Sequence, residues 1–314
     1  MKKSFKKITA LSLSLLMGAV YPVTSAYAAE SQHEIYLSAE GTDKTDTGEV
    51  FYLERSMLGD DGYTLKINIF YRDDALDTWY ISPKVKCADQ NIKLRNLVNP
   101  KEPLIEFAYA ETNEAGELYY GSNSTLASGS EVYNTVNFTC MNSSLMNRTA
   151  MKPYGEYTDS YPLTSFDAIV SKEIPTGEYN IYFLTEAEDE PDQRVTEISL
   201  MIDGGPEPCT DTALTNMKIV VSSLGDIDDN GIVDSNDASA ILKEYSLLST
   251  KKSPSFDAPK NYAADVNKDG KVDANDASLM LKYYAYVSTN DFISFIEYVS
   301  LENNNQSDDN QEGQ

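Results

Sequence analysis

Histidine and tryptophan, on which many catalytic and sugar-binding sites depend, are almost absent from this chain of 314 residues. His33 is its only histidine and Trp79 is its only tryptophan. A single histidine argues against a Ser-His-Asp or Cys-His nucleophilic site, and we predict that His33 is a solvated residue near the end of the chain. The single tryptophan argues against a sugar cleft lined by tryptophan.

Cysteine is also scarce, with only Cys87, Cys140 and Cys209. Three cysteines are too few for a disulfide scaffold at this length, and their spacing fits no zinc motif. One pair could form a disulfide and leave one free thiol. Because Cys87 and Cys140 both lie in strand-like segments, buried free thiols are favoured.

Positive charge is the third shortage. The chain has 25 Lys and Arg residues against 50 Asp and Glu residues, which gives a formal net charge of −25. A surface of this kind repels nucleic acid and anionic membranes and suits cations and neutral partners. We therefore expect no nucleic-acid binding and no membrane insertion.

The N-terminus has the pattern of a secretory signal peptide. Four lysines precede an apolar run, and Ala26-Tyr27-Ala28 places small residues at a cleavage site. A membrane anchor is the alternative, but the run is short and is interrupted by two serines and a proline. We predict that residues 1–28 are removed. Four lysines and no acids are lost with them, so the secreted protein has a net charge of −29.

Residues 29–223 are dominated by alternating segments rich in Tyr, Val, Ile and Thr. In TLKINIFY, for example, Leu65, Ile67 and Ile69 fall on one face of a strand, and Lys66 and Asn68 fall on the other. Short alternating strands separated by polar turns predict an antiparallel β-sandwich. About 190 residues are enough for one complete core.

From residue 224 the pattern becomes helical. DASAILKEYSL and DASLMLKYYAY have helical apolar spacing, and DFISFIEYVSL predicts a third helix with Asp291 as its cap. We predict a small all-α domain at 224–300 and a disordered tail at 301–314, where apolar residues are almost absent. Since no Pro/Ser-rich linker precedes residue 224, we expect the two domains to be closely coupled.

The helical part contains an internal repeat. DIDDNGIVDSNDASAILKEY at 226–245 aligns without gaps to DVNKDGKVDANDASLMLKYY at 265–284, an offset of 39 residues. In both copies, oxygen-bearing side chains occupy positions one, three, five, nine and twelve. Gly231 and Gly270 occupy position six.

This spacing is typical of a loop that wraps a calcium ion. Calcium takes six to eight oxygen ligands at about 2.3–2.6 Å, partly from alternate side chains of such a loop and partly from the backbone carbonyl of position seven. Glycine at position six permits the sharp turn. A solvated acidic turn would explain one copy, but two copies in register favour binding. The loops predict two calcium ions with the ligands Asp226, Asp228, Asn230, Ile232, Asp234, Asp237, Asp265, Asn267, Asp269, Lys271, Asp273 and Asp276.

Two features separate these loops from an ordinary EF-hand. Position twelve is aspartate instead of a bidentate glutamate, and no helix leads into the first loop. With the paired D-x-N/D-x-D/N-G-x-V-D-x-x-D pattern, residues 224–300 resemble type I dockerins, the modules that attach enzymes to the scaffold proteins of cellulosomes. The resemblance implies a fold organised by two calcium ions and binding to a cohesin module of a scaffoldin.

The resemblance also implies which residues face the cohesin. In the family these are the tenth and eleventh loop residues and a pair on the following helix, here Ser235, Asn236, Leu242, Lys243, Ala274, Asn275, Leu281 and Lys282. Many dockerins have Ser-Thr and Lys-Arg at these positions, so the cohesin specificity stays open. The two copies present nearly the same face, which implies binding in two orientations.

Core packing is the alternative for Leu242 and Leu281. Both leucines lie on helices that already carry an apolar stripe at i, i+3 and i+7. The predicted stripe residues are Ala238, Ile241 and Tyr245 in the first helix and Ala277, Met280 and Tyr284 in the second.

The β region has one catalytic hypothesis, a glycoside hydrolase. PLIEFAYAE at 103–111 superficially resembles the nucleophile strand of jelly-roll xylanases, which would make Glu106 the nucleophile and Glu186 or Glu188 the acid. An outward-facing strand residue and a solvated acidic turn explain these glutamates better, without any chemistry.

Two binding hypotheses compete with it. The 22 tyrosines could stack on sugar rings, although tyrosine is also a common strand residue. Alternatively, SFDAIVSKEIPTGEYNIYFL at 165–184 resembles the late strands of cohesins, where a Pro-x-Gly-x-Tyr turn joins two core strands. We therefore expect a secreted cellulosome component that takes part in plant polysaccharide degradation, with a non-catalytic carbohydrate- or protein-binding sandwich. The xylanase-like hydrolase is the alternative.

Overall fold

The computed structural model describes residues 33–46, 48–73, 78–96, 109–112, 118–121, 128–130, 135–137, 140–141, 164–185, 196–202 and 205–309. The predicted signal peptide lies outside these residues. Among the residues that are described, no helix is both long and apolar enough to cross a membrane.

The region before residue 223 is mainly β, as predicted. One 3-10 turn, Arg55–Met57, interrupts a series of strands. The strands are β1 His33–Ala39, β2 Asp43–Thr45, β3 Gly48–Glu54, β4 Tyr63–Asp73, β5 Thr78–Ser82, β6 Lys84–Cys87, β7 Ile92–Asn96, β8 Tyr109–Thr112, β9 Leu118–Gly121, β10 Ser128–Ser130, β11 Thr135–Asn137, β12 Cys140–Met141, β13 Thr164–Val170, β14 Gly177–Phe183, β15 Glu197–Ile202, β16 Gly205–Pro208, β17 Ala213–Thr215 and β18 Met217–Ser222.

Two larger sheets share one hydrophobic core. Their strand orders are β17-β1-β4-β13-β7 and β10-β11-β6-β14-β18-β3-β2, beside a smaller β12-β5-β15-β16 sheet and the β8-β9 hairpin. The inward residues of β4 are the alternating set Leu65, Ile67 and Ile69, all buried. Each such side chain stabilises the fold by about 1.5–3 kcal/mol on burial. From the second sheet, Ile181 and Ile219 join the same cluster.

Most neighbouring strands in the described part of the chain pair antiparallel, but two of the described pairs are parallel. β1 pairs with β17, with Ile35 opposite Leu214, and β3 pairs with β18, with Phe51 opposite Ile219. Alternation along a strand determines which face is buried and carries no information about the direction of the neighbouring strand. The sequence pattern therefore could not predict the parallel pairs.

The segment 165–184 passes from one larger sheet to the other. β13 lies between β4 and β7 in the first sheet, and β14 lies between β6 and β18 in the second. In the connecting turn, the hydroxyl of Tyr179 donates to the carbonyl oxygen of Pro175 at 2.8 Å, and Ile174 is fully buried. The Pro-x-Gly-x-Tyr turn thus joins two core strands, as expected.

The C-terminal region holds four helices, α1 Ser235–Ser249, α2 Ala258–Ala264, α3 Ala274–Val287 and α4 Phe295–Asp309. α1 and α3 begin identically. Asp234 and Asp273 are their N-caps, and Asp237 and Asp276 at the third helical position bond back to the cap backbone. These reciprocal bonds form a capping box, so the repeated sequence produces the same helix start twice.

The buried stripe of the two helices differs from the prediction by one residue in each helix. Its members are Ala238, Ile241 and Glu244 in α1 and Ala277, Met280 and Tyr283 in α3. Tyr245 and Tyr284, predicted to be core residues, are 41 and 49% exposed. The prediction took the residue seven positions after the first stripe residue, whereas the structure buries the residue six positions after it. Buried Glu244 is satisfied because its carboxylate accepts from the backbone N–H of Ser255 at 2.9 Å.

The short helix α2 was not predicted. Asp257 caps it by accepting from the N–H of Lys260, and Pro259 lies in its first turn. Proline is common at this place because its missing N–H has no helical partner there. A helix of seven residues is too short to show a hydrophobic period.

Two predictions for the C-terminal end are corrected. α4 begins at Phe295, and its cap is formed by Ser294 and Glu297 instead of Asp291. The N–H of Ser294 donates to the Glu297 carboxylate at 2.9 Å, and the N–H of Glu297 donates to the Ser294 hydroxyl at 3.3 Å. α4 then continues to Asp309, into the tail that was expected to be disordered. Once this box has nucleated the helix, each added residue gains a backbone hydrogen bond.

The β region and the helical region are in direct contact. The rings of Tyr52 in β3 and Tyr262 in α2 stack with centroids 4.9 Å apart. The hydroxyl of Ser222, at the end of β18, donates to the carbonyl oxygen of Pro259 at 2.8 Å. These contacts agree with the close coupling that the missing linker predicted.

Candidate metal centre

The first loop, residues 226–237, turns its side-chain oxygens toward its own backbone. Asp226 accepts from the N–H groups of Asn230 at 3.0 Å and Gly231 at 2.8 Å. The side-chain oxygen of Asn230 accepts from the N–H of Ile232 at 2.8 Å. Short-range bonds from Asp and Asn to the following backbone are a local turn mechanism. These local bonds contribute to the shape of the loop.

Position twelve closes this loop. One oxygen of Asp237 accepts from the N–H of Ile227 at 2.8 Å and the other from the N–H of Asp234 at 2.9 Å. Asp237 is fully buried, and one carboxylate oxygen from each of Asp226, Asp228 and Asp237 lies within 4.8 Å of the other two. The loop thus gathers three carboxylates at the start of α1.

The second loop, residues 265–276, repeats the same bonds. Asp265 accepts from the N–H of Gly270 at 3.0 Å. Asp276, also fully buried, accepts from the N–H of Val266 at 3.0 Å and of Asp273 at 2.8 Å. Each of these bonds has its counterpart 39 residues earlier in the first loop, so the sequence repeat is also a structural repeat.

Both loops bend at equivalent positions. Gly231 and Gly270 both have φ of +82°, and the fourth residues, Asp229 and Lys268, have φ of +58° and +57°. A residue with a side chain pays about 1–2 kcal/mol for this left-handed conformation. Because the strained position recurs in both copies, it belongs to the shape of the loop.

Electrostatics in the loops favour a bound cation. Burial raises the pKa of Asp237, Asp265 and Asp276 above the usual range for aspartate, because the ionised carboxylate loses hydration. Neighbouring carboxylates raise it further, Asp228 beside Asp237 and Asp265 beside Asp276. A dication among these oxygens would remove both penalties, and hard oxygen donors are the ligands that calcium prefers.

Position seven of each loop has its side chain turned outward. Ile232 is 62% exposed and Lys271 is exposed as well. This agrees with a role for the backbone carbonyl there, while the side chain is free to vary. All twelve predicted ligands lie in the described part of the chain, and their assignment as ligands stays a prediction.

The sequence did not predict the residues that contact the fourth residue of each loop. The hydroxyl of Thr176 donates to the carboxylate of Asp229 at 2.7 Å, and Arg55 donates to the same hydroxyl at 2.9 Å. In the second loop, the ammonium of Lys268 lies 3.4 Å from the ring centroid of Tyr262 and donates to its carbonyl oxygen at 2.8 Å. Thr176 is 53 residues from Asp229, so no local pattern could have revealed this contact.

The predicted cohesin-facing residues are all exposed. Leu242 and Leu281 are each 44% exposed, so the core-packing alternative is wrong for both. Tyr245 and Tyr284, three residues further along the same helices, are exposed too. α1 and α3 therefore present two matching Leu-Lys-x-Tyr patches, residues 242–245 and 281–284.

The catalytic candidates of the β region, Glu106, Glu186 and Glu188, lie outside the described residues. Cys87 is buried, as predicted, and Cys209 is a free thiol of intermediate exposure; the side chain of Cys140 lies outside the described part. The prediction for His33 was wrong. It is only 2% exposed, because it is the first residue of a strand that lies between β4 and β17.

The C-terminal fold and its loops define a small helical module made of two loop–helix repeats. Residues 224–284 match the family model described as the Dockerin type I domain. The C-terminal region of this protein is therefore a type I dockerin domain. Domains of this family generally bind calcium.

Comparison with solved structures gives only weak overall similarity. A cohesin–dockerin complex from Clostridium thermocellum has 10% identity and a TM-score of 0.35, with 60% of this chain and 99% of that chain covered. A complex of a cohesin with a dockerin from Acetivibrio cellulolyticus has 10% identity and a TM-score of 0.35, covering 60% and 98%. A type III cohesin module from Ruminococcus flavefaciens has 11% identity and a TM-score of 0.33, covering 61% and 88%. Similarity at this level carries no conclusion, and no curated protein matches the chain.

Proposed function

We propose that this protein is a secreted cellulosome component that attaches to a scaffoldin cohesin through its dockerin and takes part in plant polysaccharide degradation. The dockerin spans residues 224–300 in this proposal, and residues 29–223 form a non-catalytic binding module. The observation that carries the proposal is the duplicated loop–helix geometry, in which the same carboxylate-to-backbone bonds recur 39 residues apart.

Each loop holds one calcium ion in this account, with the twelve predicted residues as ligands. The support is the inward carboxylate cluster of the first loop, the matching bonds of the second, and the raised pKa of their buried aspartates. Calcium supplies the positive charge that allows these carboxylates to stay ionised while buried.

The two Leu-Lys-x-Tyr patches, together with the loop residues Ser235, Asn236, Ala274 and Asn275, form the cohesin-binding surface. Exposed apolar residues next to a charged one are suited to a protein interface. Because the patches are related by the repeat, either one can face the cohesin. Among the described residues, the β region contacts α2, Leu224 and Asp229, and both patches are exposed.

Binding to a panel of cohesin modules, measured by calorimetry in calcium, tests this surface. Changing Leu242 and Lys243 to alanine should leave binding intact, because the second patch takes over. Changing Leu281 and Lys282 as well should abolish it. Leu301→Ala, which removes a leucine of similar exposure from α4, is the matched control. Loss of binding in the first double variant alone would exclude the two orientations.

For the β region we propose binding without catalysis, to a polysaccharide or to another protein as an adaptor. The support is the shortage of histidine and tryptophan and the turn of residues 171–176, which joins core strands as the cohesin-like pattern requires. The full chain should release no reducing sugar from xylan, cellulose, mannan, pectin or starch. Retention on one of these polymers would support polysaccharide binding, and no retention would leave the adaptor role. Sugar release that disappears in Glu106→Gln or Glu186→Gln would establish the hydrolase instead.

A further inference from the structure

Three side chains of metal-ligating types meet in the β region, outside the dockerin loops. The imidazole Nδ1 of His33 lies 3.5 Å from the sulfur of Cys209 and 3.7 Å from a carboxylate oxygen of Asp211. The same sulfur lies 3.1 Å from that oxygen. One nitrogen, one sulfur and one oxygen thus form a nearly equilateral triangle at the surface of the β region.

These distances are those of one face of a metal tetrahedron. With metal–ligand bonds of about 2.0–2.3 Å, neighbouring ligands of tetrahedral zinc are about 3.4–3.6 Å apart. A cation could therefore sit beside the triangle with only small side-chain adjustments. Sulfur and imidazole donors suit zinc-class metals and not calcium, so this cluster differs in chemistry from the oxygen-only loops of the dockerin.

The backbone holds the three residues in place. His33 is the first residue of β1, and its neighbour Glu34 pairs with Ala213 of β17, which brings the 209–212 segment alongside. The N–H of Cys209 donates to the carbonyl oxygen of Ile198 at 2.8 Å, and the hydroxyl of Thr212 donates to the Cys209 sulfur at 3.3 Å. Hydrogen bonds to ligands of this kind orient a metal site.

We propose that His33, Cys209 and Asp211 bind one zinc-class divalent cation, which fastens the beginning of β1 to the connection between β16 and β17. Without metal, the Cys209 thiol donates to Asp211. On binding, that proton leaves to solvent and the thiolate becomes a ligand. His33 is buried and Asp211 is 67% exposed, so the fourth coordination position faces solvent and takes a water molecule.

Cobalt(II) titration of the full chain, with calcium in excess to occupy the dockerin, tests the proposal. One equivalent of cobalt should produce the near-ultraviolet thiolate-to-cobalt charge-transfer band and tetrahedral visible bands, and one equivalent of zinc should abolish them. Oxygen-only loops cannot give the thiolate band. Absence of that band in the wild-type chain would overturn the proposal without any variant.

Variants identify the ligands. Cys209→Ser should remove the charge-transfer band, and His33→Gln should remove it or weaken cobalt binding at least tenfold. Asp211→Asn, a change at an exposed position, should keep the fold and weaken binding by about 10- to 100-fold. Cys87→Ala is the matched control and should keep the band. A band that survives Cys209→Ser or disappears in Cys87→Ala would contradict the assignment.

Discussion

Single aspartates carry much of the dockerin architecture. Asp237 accepts from the backbone of Ile227, Asp228 and Asp234 while it is fully buried, and Asp276 does the same in the second loop. Each carboxylate therefore joins the loop to the start of the helix through hydrogen bonds. It also places negative charge where a cation can bind.

Removing one of these carboxylates should destabilise the dockerin even without calcium. Asp237→Ala leaves three backbone N–H groups without their acceptor, at a cost of about 1–3 kcal/mol. Asp257→Ala, the matched control, removes one exposed cap bond and should cost about 1 kcal/mol. Urea unfolding of the full chain in chelator measures both. A cost for Asp237→Ala no larger than the control would contradict this assignment.

The raised pKa values predict opposite pH dependence with and without calcium. In chelator, folding raises the pKa of Asp237, Asp265 and Asp276, so the folded form keeps protons that the unfolded form has lost. Stability of the calcium-free dockerin should then fall as pH rises through the raised pKa values. In excess calcium, protons compete with the cation, so stability should fall on acidification. Melting curves between about pH 4 and pH 7 test this, and the same trend in both conditions would contradict it.

At the scale of elements, a feature could be predicted when the residues that form it lie close together in the sequence. The loops and the starts of α1 and α3 were predicted because side chains there bond to backbone within a few residues. The exposure of Tyr245 and Tyr284 depends on how the helices pack, and no residue spacing shows it. The parallel β1–β17 pair and the His33 cluster join residues far apart in sequence, where periodicity says nothing.

Gly225 and Gly231 allow the cost of an unfavourable backbone conformation to be distinguished from the cost of overpacking. Gly225 has φ of +86°, and a Cβ there would lie 2.5 Å from the ring of Phe295 in α4. Gly231 has φ of +82° with nothing within 4 Å of a Cβ. Gly231→Ala should therefore cost about 1–2 kcal/mol from conformation alone, and Gly225→Ala about 1–3 kcal/mol more from overpacking. Equal losses in denaturant unfolding would mean that α4 does not close over residue 225.

At the scale of the whole molecule, hydrogen bonds and a ring stack join the β region to the dockerin. Leu224 donates its N–H to Glu54 at 2.9 Å, and the hydroxyl of Thr176 donates to the carboxylate of Asp229 at 2.7 Å. Tyr52 stacks on Tyr262, which also lies under the ammonium of Lys268. Ordering of the loops is thereby linked to the β region, so calcium should stabilise both parts.

Loss of the ring stack should weaken this link. In the wild-type chain, calcium should raise the melting temperatures of both parts in calorimetry. In Tyr52→Ala, which removes a stack worth about 0.5–1.5 kcal/mol, the calcium effect on the β region should shrink. Tyr36→Ala removes a stack with Phe70 inside the β region and should destabilise that region without changing its response to calcium. An unchanged response in Tyr52→Ala would refute the link.

Calorimetric titration of the chelated full chain with calcium, followed by far-ultraviolet circular dichroism, tests the central claim most directly. The account predicts two ions bound per chain, with a gain of helical signal and of melting temperature as they bind, because each cation offsets the repulsion among the buried carboxylates at the starts of α1 and α3. Asp237→Ala should reduce the number to one. A chain that binds no calcium, or whose helix content and melting are the same with calcium and with chelator, would contradict it.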